Sequence, residues 1–384
     1  MTALRIIITG TAGSGKTSIV RAICSEGPYQ HVRAVTSRPA RADDRGEYEY
    51  LSEDAFAVLD DATLLVKTDY RGHKYGIRKS EVQEIENSGR IPILTLTPES
   101  ASILLNNAPN RARYLSFFVD APDLDLESRL LTRTGSTQQT LTQQKTDRDY
   151  KYAFTYAIQN VDLVASVALI RTLIDIEGKS GILSARIVKM GLVCGVFLEN
   201  ASTNNVPGAS YDLSLGDEYF YGGRIRKLSD SEPILMVEPY DYAIVTSHEL
   251  AHLPLNVCGR FDLAVNLFAQ GMILSNGPQI DPGFRGPLFC LLFNTSSSPI
   301  LLKRKQHYAT LELHKIIEST EPYRGQYQAK KLLDYLPANA ARGAINELKR
   351  EVESLRSESR NLQAMILAVI SLVLAVVAIW VSLK

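Results

Sequence analysis

Gly10-Thr11-Ala12-Gly13-Ser14-Gly15-Lys16-Thr17, entered from the apolar run Leu4-Arg5-Ile6-Ile7-Ile8, decides how the first half of this chain reads. It spells G-x-x-x-x-G-K-[ST] at the end of a strand, and beyond it Ile19, Val20 and Ile23 have helical spacing. Strand, glycine-rich turn and helix in that order make a phosphate-binding loop. The glycines let successive N–H groups turn toward one anion, and the helix N-terminus adds partial positive charge. The expected contacts to ATP are Gly10, Gly13, Ser14, Gly15, Lys16 and Thr17. Lys16 reaches the β- and γ-phosphates as a catalytic cation, and Thr17 holds Mg2+. A plain turn would not need all four fixed positions in this setting, so the chain binds a nucleoside triphosphate or descends from one that did.

The chain has 384 residues, enough for two domains and more. Lys plus Arg number 42 and Asp plus Glu 42, so no global charge attracts nucleic acid. Cys24, Cys194, Cys258 and Cys290 lie far apart with no C-x-x-C pair, which points to small buried residues in a reducing compartment. The amino end runs directly into the first strand, and no signal peptide is expected.

The carboxyl end differs. Ala364 to Leu383 is twenty residues without a charge. At about 1.5 Å per residue it spans a hydrocarbon core of about 30 Å. Trp380 suits an interface, and Lys349, Arg350, Arg356 and Arg360 favour a cytoplasmic inner side. The expectation is a single-pass membrane protein held by its C-terminal helix at 364–383, with cytoplasmic soluble domains. Just before it, Ile345, Leu348, Val352, Leu355, Ser359, Leu362 and Ile366 alternate three and four apart. Residues 340–363 therefore read as a helical stalk, either a short coiled coil or a lone helix extending the span.

Strand and helix signals alternate through residue 178, as in an α/β doubly wound domain. Within it lie Thr36-Ser37-Arg38-Pro39-Ala40-Arg41, Gly72-His73-Lys74-Tyr75-Gly76, Val119-Asp120-Ala121-Pro122, and then Arg129 to Arg133 leading to Lys145 and Arg148. This order resembles the guanylate kinase family over about residues 3–175, and the T-S-R-P-A piece is also similar to ribose bisphosphate phosphokinase. The resemblance implies that Arg38 and Arg41 clamp an acceptor phosphate bidentately and that Tyr75 adds a hydroxyl contact. It implies further that Arg133 and Arg148, on a mobile lid, stabilise the transferring phosphoryl group. Two departures matter. The family reads guanine with a Glu near the place of Val66-Lys67 and an Asp in the strand matching Ile91–Thr97, where this chain has Thr95 and Thr97. Unpaired guanine N–H groups cost affinity, so guanine selection is expected to be lost while the donor site stays intact.

From 184 to 316 short apolar stretches are broken by Gly, Pro and Asn, an all-β pattern. Ala209 to Gly216, Gly259-Arg260-Phe261-Asp262-Leu263 and Ile280-Asp281-Pro282-Gly283-Phe284-Arg285-Gly286 resemble the dCTP deaminase and dUTPase family. That resemblance implies a jelly-roll-like domain that assembles as a homotrimer with sites at subunit boundaries, and it tips 340–363 toward a trimeric stalk. Asp212, Arg260 and Asp281 are the residues left for a ligand there. Phe261, Asp262 and Val265 stand where the family's phosphate cage has Ser, Ser and Arg, and Leu291 stands where the deaminases have a Glu. Leucine does no acid–base work, so the domain is read as non-catalytic. His248-Glu249-Leu250-Ala251-His252 matches H-E-x-x-H, but Pro254 argues against the helix a zinc site needs, and the resemblance places a strand there.

These readings divide the chain into a kinase-like domain (1–178), a trimerising β domain (184–316), a linker (317–339), a stalk (340–363) and a membrane helix (364–383). Two functions follow. One is a membrane-anchored, ATP-dependent nucleotide kinase. The other is a nucleotide-sensing membrane effector without kinase turnover, for example in defence against phage. A deaminase with rearranged residues is a third.

Overall fold

The structure is a computed structural model describing residues 4–40, 44–70, 72–108, 111–126, 128, 138–277, 279–336 and 344–382. The first half supplies β1 (Arg5–Gly10), β2 (Tyr29–His31), β3 (Ala34–Thr36), β4 (Tyr48–Tyr50), β5 (Leu64–Tyr70), β6 (His73–Arg78), β7 (Ile91–Thr95), β8 (Tyr114–Asp120) and β9 (Tyr156–Gln159). Strands β2-β7-β1-β8-β9 form a parallel sheet in that order. Ile6, Ile7 and Ile8 are fully buried because the central strand of a parallel sheet is covered on both faces. Helix α1 (Lys16–Cys24) lays Ile19, Val20 and Ile23 on one side, and the helix Pro98–Asn107 lays Ala101, Leu104 and Leu105 on the other. A second sheet, β4-β3-β6-β5, stands beside this layer. Open parallel sheets place ligands outside the carboxyl ends of their strands, and β1 ends on Gly10 there.

The second half supplies β10 (Gly181–Ile182), β11 (Phe197–Glu199), β12 (Tyr211–Tyr221), β13 (Arg224–Lys227), β14 (Ile234–Val237), β15 (Tyr242–His252), β16 (Val257–Leu263), β17 (Met272–Ser275), β18 (Arg285–Asn294), β19 (Ile300–Lys303) and β20 (His307–Lys315). All their pairings are antiparallel. In β18, Leu288, Cys290, Leu292 and Asn294 are buried while their neighbours are not, the period-two pattern of a strand with one covered face. His248 to His252 lies on β15, across a register shift between Thr246 and Leu250.

The two halves share one continuous core. The helices Leu163–Asp175 and Ala185–Val193 meet at the junction, and the fully buried Phe197 is packed against Gly191. Residues 317–336, expected as a linker, run along the second domain instead. Thr320 N donates to Leu255 O at 2.8 Å, Tyr323 N to Pro282 O at 2.9 Å and Ala329 N to Arg285 O at 2.8 Å. The rings of Tyr323 and Tyr327 lie against Phe284 and Phe289, and Leu332 is fully buried. The aromatic rings of this stretch supply the apolar area that holds it down.

Stalk and apolar run form one helix, Ala344–Ser382. The stretch Glu351–Ala378, with mean hydropathy 2.3, is long and apolar enough to cross a membrane, and none of it is buried within the chain.

Candidate functional site

The glycine-rich loop turns between β1 and α1. Gly15 caps the helix at φ +92°, and a Cβ there would lie 2.4 Å from Asn160 Nδ2, which donates to Ser14 O at 2.7 Å. Only glycine meets both demands, the left-handed backbone and the close approach. Lys16 Nζ donates to Gly10 O at 2.9 Å and to Thr11 O at 2.6 Å, so it is curled over the loop it serves. Ser14 Oγ and Asn160 Oδ1 are buried without a hydrogen-bond partner among the described residues. The Ser14 hydroxyl, beside the backbone amides of the loop, can donate to a polyphosphate oxygen, whereas Asn160 Oδ1 is an acceptor and needs a donor. The donor set suits ATP, with the Thr17 hydroxyl lining the same cleft on the side where Mg2+ would sit.

Across that cleft stands Arg38, only 5% exposed. Its guanidinium bonds both Asp44 oxygens at 3.1 and 3.0 Å, donates to Pro39 O at 2.8 Å, and lies 4.8 Å from the Tyr48 ring centre. Burial opposes its charge, but the bonds to Asp44 outweigh burial and hold its pKa above the ordinary arginine value. Tyr50 Oη donates to Asp44 Oδ2 at 2.6 Å, and burial followed by that carboxylate pushes the phenol up to about 12. Asp44 thus takes the place on Arg38 that an acceptor phosphate would want. Tyr75 lines the cleft, edge-on to Tyr48 and Tyr70.

The far wall carries no carboxylate where guanine readers were sought. Strand alternation turns Val66, Thr68 and Tyr70 into the cleft and leaves Lys67 outside on Asp61. Thr68, Ser100 and Thr97 form a hydroxyl chain, each O···O contact 2.5 Å. Thr95 Oγ1 meets His31 Nε2 at 3.0 Å, and burial lowers the imidazole to about 4, so His31 is neutral at pH 7.

The structure therefore gathers Lys16, Thr17, Arg38 and Tyr75 around one cleft. Arg41 and Arg133 lie outside the described residues. Arg148 sits on the helix Gln138–Asp149, outside the lining of the cleft. It bonds Asp120 at 2.9 and 3.2 Å, and Asp123 at 2.7 Å. Sequence reasoning passed over Asp120 as a working residue, yet it is buried at the end of β8 and also accepts from Thr11 Oγ1 at 2.9 Å. Its signal was a carboxylate ending an apolar strand, Val119-Asp120. Gln144, which donates to Ala12 O at 3.0 Å, had no such signal in its polar run.

In the second domain Arg260 and Asp281 line one cavity with Phe261, Phe284, Phe289, Tyr323 and Tyr327. Asp212 is not among its lining residues; it faces His307 at 3.4 Å. Leu291 stays on β18, paired across to Ile244. His252 Nε2 is 2.7 Å from Gly195 O, and burial lowers its pKa.

Comparison with known proteins matches residues 3–177 to the family described as guanylate kinase and residues 186–316 to the family described as dCTP deaminase-like. The dCTP deaminase of Thermococcus kodakarensis is 32% identical over 139 residues, 36% of this chain and 88% of that protein. The guanylate kinase of Chlamydia abortus is 27% identical over 186 residues, 46% of this chain and 89% of that protein. A solved guanylate kinase from Anaplasma phagocytophilum, 16% identical, covers 45% of this chain and 85% of its own at a TM-score of 0.38.

Proposed function

We propose that this chain, which belongs to the dCTP deaminase-like family through residues 186–316 and joins that domain to a guanylate kinase domain at residues 3–177, is a membrane-anchored kinase using ATP and Mg2+. Its acceptor is a nucleoside monophosphate or a related phosphate. The observation that carries the reading is one cleft with Lys16 and Thr17 on one wall and Arg38 and Tyr75 on the other. Phosphoryl transfer needs little covalent help from protein. It needs two phosphates held in line and cations on the developing charge. Lys16 leaves the Gly10 and Thr11 carbonyls for the β- and γ-oxygens, and Arg38 exchanges Asp44 for the acceptor phosphate. Arg41 joins Arg38 on the acceptor phosphate, and Arg133 and Arg148 stabilise the transferring phosphoryl group. Mg2+ on Thr17 would neutralise the donor oxygens.

The hydroxyl wall of Thr68, Ser100 and Thr97 supports an acceptor other than GMP, because a neutral wall leaves guanine N–H groups without a carboxylate. The test is a screen with Mg·ATP against all ribo- and deoxyribonucleoside monophosphates and pentose phosphates. Transfer to at least one, lost in Lys16→Ala and Arg38→Ala, is expected. No transfer to any of them contradicts the reading.

The second reading is a nucleotide-sensing membrane effector without turnover. Leu291 in place of a proton-handling carboxylate and the Arg38–Asp44 pair favour it. In both readings the β domain is non-catalytic, assembles the chain as a trimer and holds a ligand at Arg260 and Asp281, while the helix at 364–383 anchors the soluble part on the cytoplasmic face. A Lys16→Ala variant that changes biological output, while wild type yields no product, would select the effector.

A further inference from the structure

The helix Gln138–Asp149 touches three parts of the first domain. Gln144 Nε2 donates to Ala12 O in the glycine-rich loop, Arg148 is bonded to Asp120 at the end of β8, and Asp147 accepts from Tyr70 Oη at 3.2 Å on the acceptor wall. Three residues past its end stands Tyr152, and on the face of that ring lies the Arg285 guanidinium, 4.2 Å from the ring centre. Cation–π contacts at this distance depend on the ring's orientation, so they register small movements of either partner. Arg285 opens β18, directly after the Asp281–Phe284 turn of the second domain. Its backbone is pinned to the strap 317–336: Arg285 N donates to Gln328 Oε1 at 2.8 Å and Ala329 N donates to Arg285 O at 2.8 Å. The strap runs on, in sequence, toward the apolar helix Ala344–Ser382.

We propose that a nucleoside triphosphate at the glycine-rich loop resets the start of β18 at Arg285, and the strap laid upon it, through the stacking of Arg285 on Tyr152. The inference rests on the nucleotide reading of the first cleft. A coupling requires a contact that differs between the two states, and Lys16 would supply it. Taking a polyphosphate draws Lys16 off the Gly10 and Thr11 carbonyls, and the neighbouring Ala12 carbonyl is the one Gln144 holds. A shift of the loop therefore pulls on the helix, the helix leads directly into the short 3-10 turn Lys151–Ala153 that carries Tyr152, and Tyr152 carries Arg285. Linkage makes the effect reciprocal, so prying the strap from its turn alters triphosphate affinity by the same factor.

The test uses the full chain in detergent and amide hydrogen exchange of peptides covering 281–286 and 317–331, with and without Mg·ATPγS at a concentration shown by calorimetry to saturate. Wild type and Tyr152→Phe, which keeps the aromatic face, should change strap exchange at least ~3-fold on adding nucleotide. Tyr152→Ala should bind nucleotide within about twofold of wild type and lose the response. Arg285→Gln, cut from the other side of the contact, should behave the same way even if Tyr152→Ala fails to fold. A saturated wild type with an unchanged strap would overturn the coupling alone. So would a full response in the folded Tyr152→Ala or Arg285→Gln variant. A wild type that takes up no Mg·ATPγS would overturn the coupling and the nucleotide reading together.

Discussion

Gly15, Asn160 and His31 each set a condition on the first cleft that a single substitution can probe. Alanine at position 15 would have to adopt φ +92° and displace Asn160 from Ser14 O. Strain of this kind costs about 1–3 kcal/mol, and it is placed where the loop must present its amides. Gly15→Ala is expected to weaken Mg·ATPγS binding at least ~10-fold with the fold retained, since 1.4 kcal/mol is one decade. An unchanged Kd in titration calorimetry would contradict that account of the loop. His31 works through pH. Its folded pKa is about 4 against an ordinary 6.5, so between those values the unfolded chain binds a proton that the folded chain refuses. Its contribution to stability is complete above pH 6.5 and is lost as pH falls toward 4. Thermal melts across that window should show a steeper loss of Tm for wild type than for His31→Gln. Equal slopes would show that the imidazole stays protonated in its pocket.

At the scale of elements, some parts of the chain could be read from sequence and others could not, for definite physical reasons. The phosphate-binding loop is local: glycine backbone, lysine reach and helix start all lie within one turn, so spacing alone placed it. Strand β15 at His248–His252 was expected because Pro254 argues against the helix that the H-E-x-x-H letters suggest and because the resemblance to the dCTP deaminase and dUTPase family implies a strand there. The strap was not legible. It was expected as a linker, and what holds it is non-local: Phe284 and Phe289 beneath its two tyrosines, and the carbonyls of Leu255, Pro282 and Arg285. The Arg38–Asp44 pair was missed in the same way, since a clamp expected to await phosphate finds its carboxylate six residues on. Gly283 tests the strap. It sits at φ +76°, and a Cβ there would come within 2.7 Å of Pro322 Cα, which is backbone and cannot turn aside. Gly283→Ala should expel the strap and open residues 317–336 to limited proteolysis while β18 and β20 stay protected. Resistance equal to wild type would mean that the strap is not seated on that turn.

On the scale of the whole molecule, a nucleotide cleft, a second domain sharing its core, and an exposed apolar helix lie on one chain. Among the described residues nothing covers Glu351–Ala378, and about 30 Å of hydrocarbon is the natural cover for its apolar run. Expressed in cells, the full chain should resist alkaline carbonate extraction, and a chain ending at residue 343 should be released; extraction of both would contradict the anchor. The trimer belongs to this scale too, and that truncated chain gives the mass that tests whether the β domain assembles without the stalk. The claim on which the rest depends is that the glycine-rich loop grips a nucleoside triphosphate. Titration calorimetry of the 1–343 chain with Mg·ATPγS measures it directly. One site per chain is expected, with Lys16→Ala weakening it at least ~10-fold, as the loss of a charge-assisted phosphate contact implies. Absence of binding in wild type, or equal binding in Lys16→Ala, would contradict the account.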